Sequence, residues 1–81
     1  MQITIRVNGS LLTSLGRPRL YVETAENTTV AELQQQLQRE YPAQADSFRI
    51  AVPVAAGKHL TPETRLLANQ EVAFLIPLAG G

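Results

Sequence analysis

"NTTVAELQQQLQREYP", residues 27–42, carries the clearest helical pattern in the 81-residue chain. Thr29 followed by Glu32 is a capping box, which satisfies backbone donors that a helix start otherwise leaves orphaned. Val30, Leu33, Leu37 and Tyr41 fall on one stripe at helical spacing. Gln34, Gln35, Gln36 and Gln38 lie mostly off that stripe and read as a solvated face of good helix formers. Pro42 disfavours helical backbone at the residue before it, so the helix ends at Tyr41. A single main helix with one apolar stripe needs a surface to bury it against, and the flanking sequence supplies strands.

Upstream, "QITIRV" at 2–7 alternates, with Ile3, Ile5 and Val7 on one face and Gln2, Thr4 and Arg6 on the other. Leu11, Leu12 and Leu15 suggest a short helical turn stopped by Gly16, so 8–18 reads as a long connection rather than a tight hairpin. "RLYVET" at 19–24 then gives a second strand, antiparallel to the first. Downstream, 43–48 reads as a connector and "RIAVPV" at 49–54 as a third strand, ended or placed at an edge by Pro53. A minor strand is expected near 58–60. Ala68-Asn69-Gln70 makes a tight turn, with Asn suited to left-handed backbone, before the last strand "EVAFLIP" at 71–77. The last strand is the most apolar and belongs in the centre, parallel to the first. The expected fold is α+β: a mixed four- to five-stranded sheet with one main helix on one face, the β-grasp or ubiquitin-like architecture. Residues 1–77 form that domain and 78–81 an extended tail.

Composition narrows the function. Formal net charge is zero, which argues against binding nucleic acid or a membrane surface through bulk electrostatics. There is no cysteine, hence no disulfide, thiolate chemistry or cysteine zinc site. No run approaches the ~20 apolar residues of a membrane span, and the start lacks a signal peptide's pattern, so a cytoplasmic location is expected. His59, the one histidine, and Lys58, the one lysine, read as solvated turn residues. No phosphate-binding glycine loop, metal-ligand set or acid/base pair stands out. The chain reads as a protein co-substrate rather than an enzyme, with no bound cofactor.

Alternation in the last strand points Val72, Phe74 and Ile76 toward the helix and Ala73 and Leu75 to the open face of the sheet. Parity adds Thr4 and Arg6, and Arg49 and Ala51, to the open face. An apolar centre with an arginine fringe makes a partner-binding patch.

The chain ends "PLAGG". Pro77 stiffens the exit, and Leu78, Ala79, Gly80 and Gly81 reach about 13 Å when extended. Two residues without a Cβ fit a narrow channel. An α-carboxylate is an anion at neutral pH and a poor acyl donor; adenylation with ATP would make it electrophilic, and a sulfur nucleophile could then displace AMP.

"EVAFLIPLAGG" at 71–81 and "TVAEL" at 29–33 resemble the small sulfur carriers of the MoaD/ThiS group, closest to the small subunit of molybdopterin synthase. The resemblance spans the chain in strand–helix order. It implies that an E1-like enzyme, using ATP, adenylates Gly81, which becomes a thiocarboxylate. It implies that Leu78, Ala79 and Gly80 line a partner's channel, and that Leu75 contacts the partner together with Ala73, Arg6, Arg49 and Pro77. In the molybdopterin role the acceptor is the large synthase subunit. Departures from the family pattern are Asn69-Gln70-Glu71 in place of Gly-Asp-Glu, Pro53 in place of Asn, and Ile76-Pro77 in place of two prolines. A carrier for another pathway (thiamine thiazole, cysteine or a specialised metabolite), a ubiquitin-like modifier and a β-grasp interaction module remain alternatives.

Overall fold

The computed structural model describes residues 1–77. The capping box forms as read: the Thr29 N–H donates to Glu32 Oε1 at 2.9 Å, and the Glu32 N–H donates to Thr29 Oγ1 at 3.2 Å. The Thr29 N–H and, at 3.1 Å, the Thr29 hydroxyl both donate to the Glu32 carboxylate, which holds it below the ordinary glutamate value of 4.5. Helix α2 runs Val30–Glu40 and buries Val30, Leu33 and Leu37. Tyr41 packs at the edge of this core, its ring 6.0 Å from that of Phe48.

Five strands form one sheet: β1 (Gln2–Val7), β2 (Arg19–Glu23), β3 (Val52–Ala55), β4 (Lys58–His59) and β5 (Glu71–Leu75), in the order β2-β1-β5-β3-β4. β1 pairs antiparallel with β2 and parallel with β5. β5 is therefore central, as its apolar content requires. A short helix α1, Gly9–Leu15, joins β1 to β2 and ends on left-handed Gly16 (φ 78°). This is the β-grasp arrangement. The core between sheet and helices contains Ile3, Ile5, Leu20, Val72 and Phe74 from the sheet and Leu11, Leu33, Leu37 and Phe48 from the helices. Phe48 meets Phe74 edge-on, at 6.1 Å and 83° between planes.

The structure departs from the sequence reading at 43–51. Pro42–Gln44 is a 3₁₀ turn and Ala45–Ile50 a further helix, α3, so the third strand begins only at Val52. Asp46 in its first turn and Arg49 in its last complement the helix dipole, and Phe48 anchors it in the core. Arg49 is therefore on a helix and not on the sheet; its Nε lies 3.8 Å from Asp46 Oδ1. Ala51 is buried rather than on the open face.

Pro53 is in an internal strand. Its carbonyl accepts the Leu60 N–H, so its nitrogen, on the same strand edge, points toward short β4, past that strand's last residue. The ladder with β5 loses nothing. The glutamines of α2 are also less solvated than expected. Gln34 Nε2 donates to the carbonyls of Phe48 at 2.7 Å and Ala51 at 3.0 Å, tying α2 to α3. Gln36 Nε2 donates to the Glu23 carbonyl at 2.7 Å, tying α2 to β2. No helix among the described residues is long and apolar enough to cross a membrane.

Candidate functional site

The helices cover one face of the sheet, and the pairing registers state what the other face carries. Arg19 stands opposite Arg6, Arg6 opposite Ala73, Ala73 opposite Val54, and Val54 opposite His59. Directly opposed residues point to the same face, so these five side chains form one row across all five strands. Leu75 stands opposite Val52 in a neighbouring row. On the other side, Tyr21 opposes Thr4, which opposes Glu71. The face thus has an apolar middle of Ala73, Val54, Val52 and Leu75, with Tyr21 at its far edge. Arg6, Arg19 and His59 edge it with polar groups, all exposed.

A depression of about 320 Å³ opens in this face, lined by Arg6, Asn8, Val54, Glu71, Ala73 and Leu75 among others. Arg19 Nε lies 3.6 Å from Glu71 Oε1, an exposed pair of small energetic weight that orients both groups at the rim. Among the described residues no group of three or more His, Cys, Asp or Glu is placed to hold a metal ion. Nothing in the face has the geometry of a nucleophile and base. It can dock a partner, with a weakly polar surface and two guanidinium groups at its border.

Three of the sequence-derived contact residues, Leu75, Ala73 and Arg6, come together here. Pro77 is exposed two residues beyond Leu75. Arg49 does not join them, for the reason given above. Gly81, Leu78, Ala79 and Gly80 lie outside the described residues.

A third strand carrying Arg49 and Ala51 on the open side would, by alternation, turn Val52 and Val54 toward the helix. The α3 helix removes that premise, and the register with β5 puts both valines on the open face. Tyr21 carried a signal that went unused: in "RLYVET" it alternates with Leu20 and Val22, which are buried, and so had to be exposed. His59 is not in a loop but on β4, at the end of the row.

The strand that ends this face also launches the rest of the chain. β5 stops at Leu75, and the Ile76 N–H donates to Asn8 Oδ1 at 2.7 Å.

Comparison with known proteins places this geometry. The sequence pattern of the ThiS family matches residues 5–81. No curated protein matches the chain closely enough to count as a relative. Among solved structures, SAMP1 from Haloferax volcanii is similar with a TM-score of 0.82 at 18% identity, covering 100% of both chains. A chain of the complex of subunits 1 and 2 of the molybdopterin-converting factor from Helicobacter pylori gives 0.71 at 17%, again covering 100% of each. A Pyrococcus furiosus protein assigned as subunit 1 of a molybdopterin converting factor gives 0.76 at 12%, covering 96% of this chain and 99% of that one. At these identities the structural likeness speaks for the shared β-grasp fold.

Proposed function

Because the chain belongs to the ThiS family, we propose that it is a sulfur carrier whose Gly81 is made into a thiocarboxylate and that it serves as the small subunit of a molybdopterin synthase. The observation that carries the reading is the family match itself, which runs through the fold to the final Gly-Gly. The apolar open face beside the exit of the chain supports it, since a carrier needs a docking surface and a reach.

The Gly81 carboxylate attacks the α-phosphorus of ATP, releasing pyrophosphate and forming an acyl-adenylate. Hydrosulfide, or a donor of equivalent sulfur, then attacks the acyl carbon. A C–S bond forms, the C–O bond to AMP breaks, and AMP carries away the electron pair. Both steps take place on an E1-like activating enzyme; this chain supplies the face that docks and the carboxylate that reacts. Glycine at the last two positions leaves room for backbone in a narrow channel. In the second half of the cycle the same face docks a large subunit of the kind that accompanies subunit 1 in the Helicobacter complex. The thiocarboxylate sulfur bonds to an electrophilic carbon of a pterin precursor, displacing an oxygen group there; water then attacks the Gly81 acyl carbon, its C–S bond breaks with the electron pair leaving on sulfur, and the carboxylate returns.

The test is intact-mass measurement after incubation with an E1-like enzyme, ATP and sulfide. The expected result is exchange of one oxygen for sulfur at the C-terminus, followed by reversal on adding the large subunit and its precursor. Sulfur loading without reversal would keep the carrier reading and remove the molybdopterin assignment. Adducts on lysines of other proteins in place of sulfur would make the chain a modifier. An unchanged mass with each activating enzyme would overturn the proposal.

A further inference from the structure

Asn8 occupies the position before α1 at which asparagine ordinarily caps the helix with its side chain. Here it makes no such cap: its backbone is extended (φ −135°, ψ −177°) and its side chain makes no cap bond to α1. The Oδ1 instead accepts the N–H of Ile76 at 2.7 Å, across 68 residues of sequence. This bond lies where the sheet can no longer hold the departing strand. β1's register with β5 ends at the pair Val7 and Phe74, and β3's ends at the pair Val52 and Leu75. Ile76 thus has no ladder partner, and one side-chain amide replaces it.

Two neighbours complete the arrangement. Gly9 has φ +54°, and a Cβ added there would lie 3.4 Å from the Cβ of Ile76. The residue after Asn8 is thus one that turns sharply, in a conformation side chains rarely adopt, directly against Ile76. On the other side, Pro77 confines Ile76 to extended backbone and offers no N–H of its own. Ile76 is half-buried against the core, so its side chain is anchored as well. Backbone amide, side chain and following residue are each constrained within one residue of the exit. Asn8 also lines the depression in the open face, so the element that holds the exit belongs to the surface that docks.

We propose that Asn8 is a positioning residue: its bond to the Ile76 amide, with Gly9 beneath it, fixes the direction in which the C-terminal segment leaves the docked face. Misdirection of a reacting group by about 1 Å can cost on the order of a hundredfold in rate. Binding of the face should feel it far less. The delivery role rests on the carrier reading; the clamp itself does not.

Two measurements separate these. In the isolated chain, amide exchange at Ile76 is expected to quicken at least tenfold in Asn8→Ala and to stay slow in Asn8→Asp, which keeps an acceptor. Equal exchange in wild type and Asn8→Ala overturns the clamp, whatever the chain's function. With an E1-like enzyme, ATP and sulfide, Asn8→Ala is expected to lower kcat for thiocarboxylate formation at least tenfold while KM for the carrier changes less than threefold, with Asn8→Asp restoring most of the rate. A KM rise with kcat unchanged, or a loss that Asn8→Asp does not rescue, overturns the positioning role. If wild type itself is never activated, the carrier reading falls, while the exchange result still decides the clamp.

Discussion

Phe74 and Leu75 are neighbours in β5 with opposite fates: Phe74 is fully buried, and Leu75 is 36% exposed beside Val52 on the open face. A substitution at each therefore reads a different property. Phe74→Ala opens a cavity in the middle of the core and is expected to cost about 3–5 kcal/mol, a large share of what a domain of this size has. Leu75→Glu is expected to change stability by no more than about 0.5 kcal/mol and to weaken the activating enzyme's or large subunit's affinity by about tenfold or more, as a charge at the centre of an apolar patch should. Denaturant titration of both variants, set beside partner binding for Leu75→Glu, checks the pair. Unfolding of Leu75→Glu would mean the face is not a docking face. Ala56 offers a second residue-scale test. With Gly57 it makes the two-residue link from β3 to β4, and both have positive φ, 51° and 76°, the pattern of a type I′ turn. A Cβ in that conformation costs about 1–2 kcal/mol. Ala56→Gly should regain about 0.5–1 kcal/mol after its own entropic penalty, seen as a higher denaturation midpoint at unchanged slope.

At the scale of elements, what was legible in the sequence was what is locally encoded. α2 announces itself because its start signal and its stripe are both written within sixteen consecutive residues, 27–42. β1 and β5 are legible for the same reason, through alternation. α3 is not. It has six residues, Ala45–Ile50, too few to display a helical period. Its last residues join the valines of β3 to imitate a longer strand. A strand begun three residues early turns the wrong side chains, Arg49 and Ala51, to the open face. The bonds of Gln34 to the carbonyls of Phe48 and Ala51 hold α3 in place and are tertiary; no local pattern records them. The capping box of α2 carries a prediction of its own. The folded state holds the Glu32 carboxyl below its ordinary 4.5. The charged form is thus favoured in the fold, and its contribution is present above the unfolded value and lost as pH falls through the depressed folded one. Stability measured from pH 6 down to pH 3 should fall less steeply in Glu32→Gln than in wild type, since the neutral amide can still accept the Thr29 N–H but has no proton to take up. Identical pH slopes would show that other carboxylates carry the acid sensitivity.

At the scale of the whole molecule, the β-grasp order could be read because one helix and a central apolar strand leave few sheets to build. Which side chains the finished sheet would present could not, because that depends on registers between segments far apart in sequence. β1 and β5 meet across some seventy residues, and the depression in the open face draws on β1, β3 and β5 together. The same layout separates what keeps the chain folded from what makes it useful. The last fully buried residue among those described is Phe74. Removing Gly81 therefore leaves every described core contact in place, while moving the terminal carboxylate back to Gly80 and shortening the reach by one residue, so that the reacting group no longer arrives where the proposed chemistry requires it. The expected outcome for the Gly81 deletion is an unfolding midpoint and an Ile76 exchange rate equal to wild type, retained binding to the activating enzyme, and loss of thiocarboxylate formation. Binding that persists without product would assign docking to the sheet face and chemistry to the chain end. A deletion variant that still acquires sulfur at its new terminus would instead show that the activating enzyme reads the reach of the segment loosely. A variant that unfolds would show that the end of the chain supports the core after all.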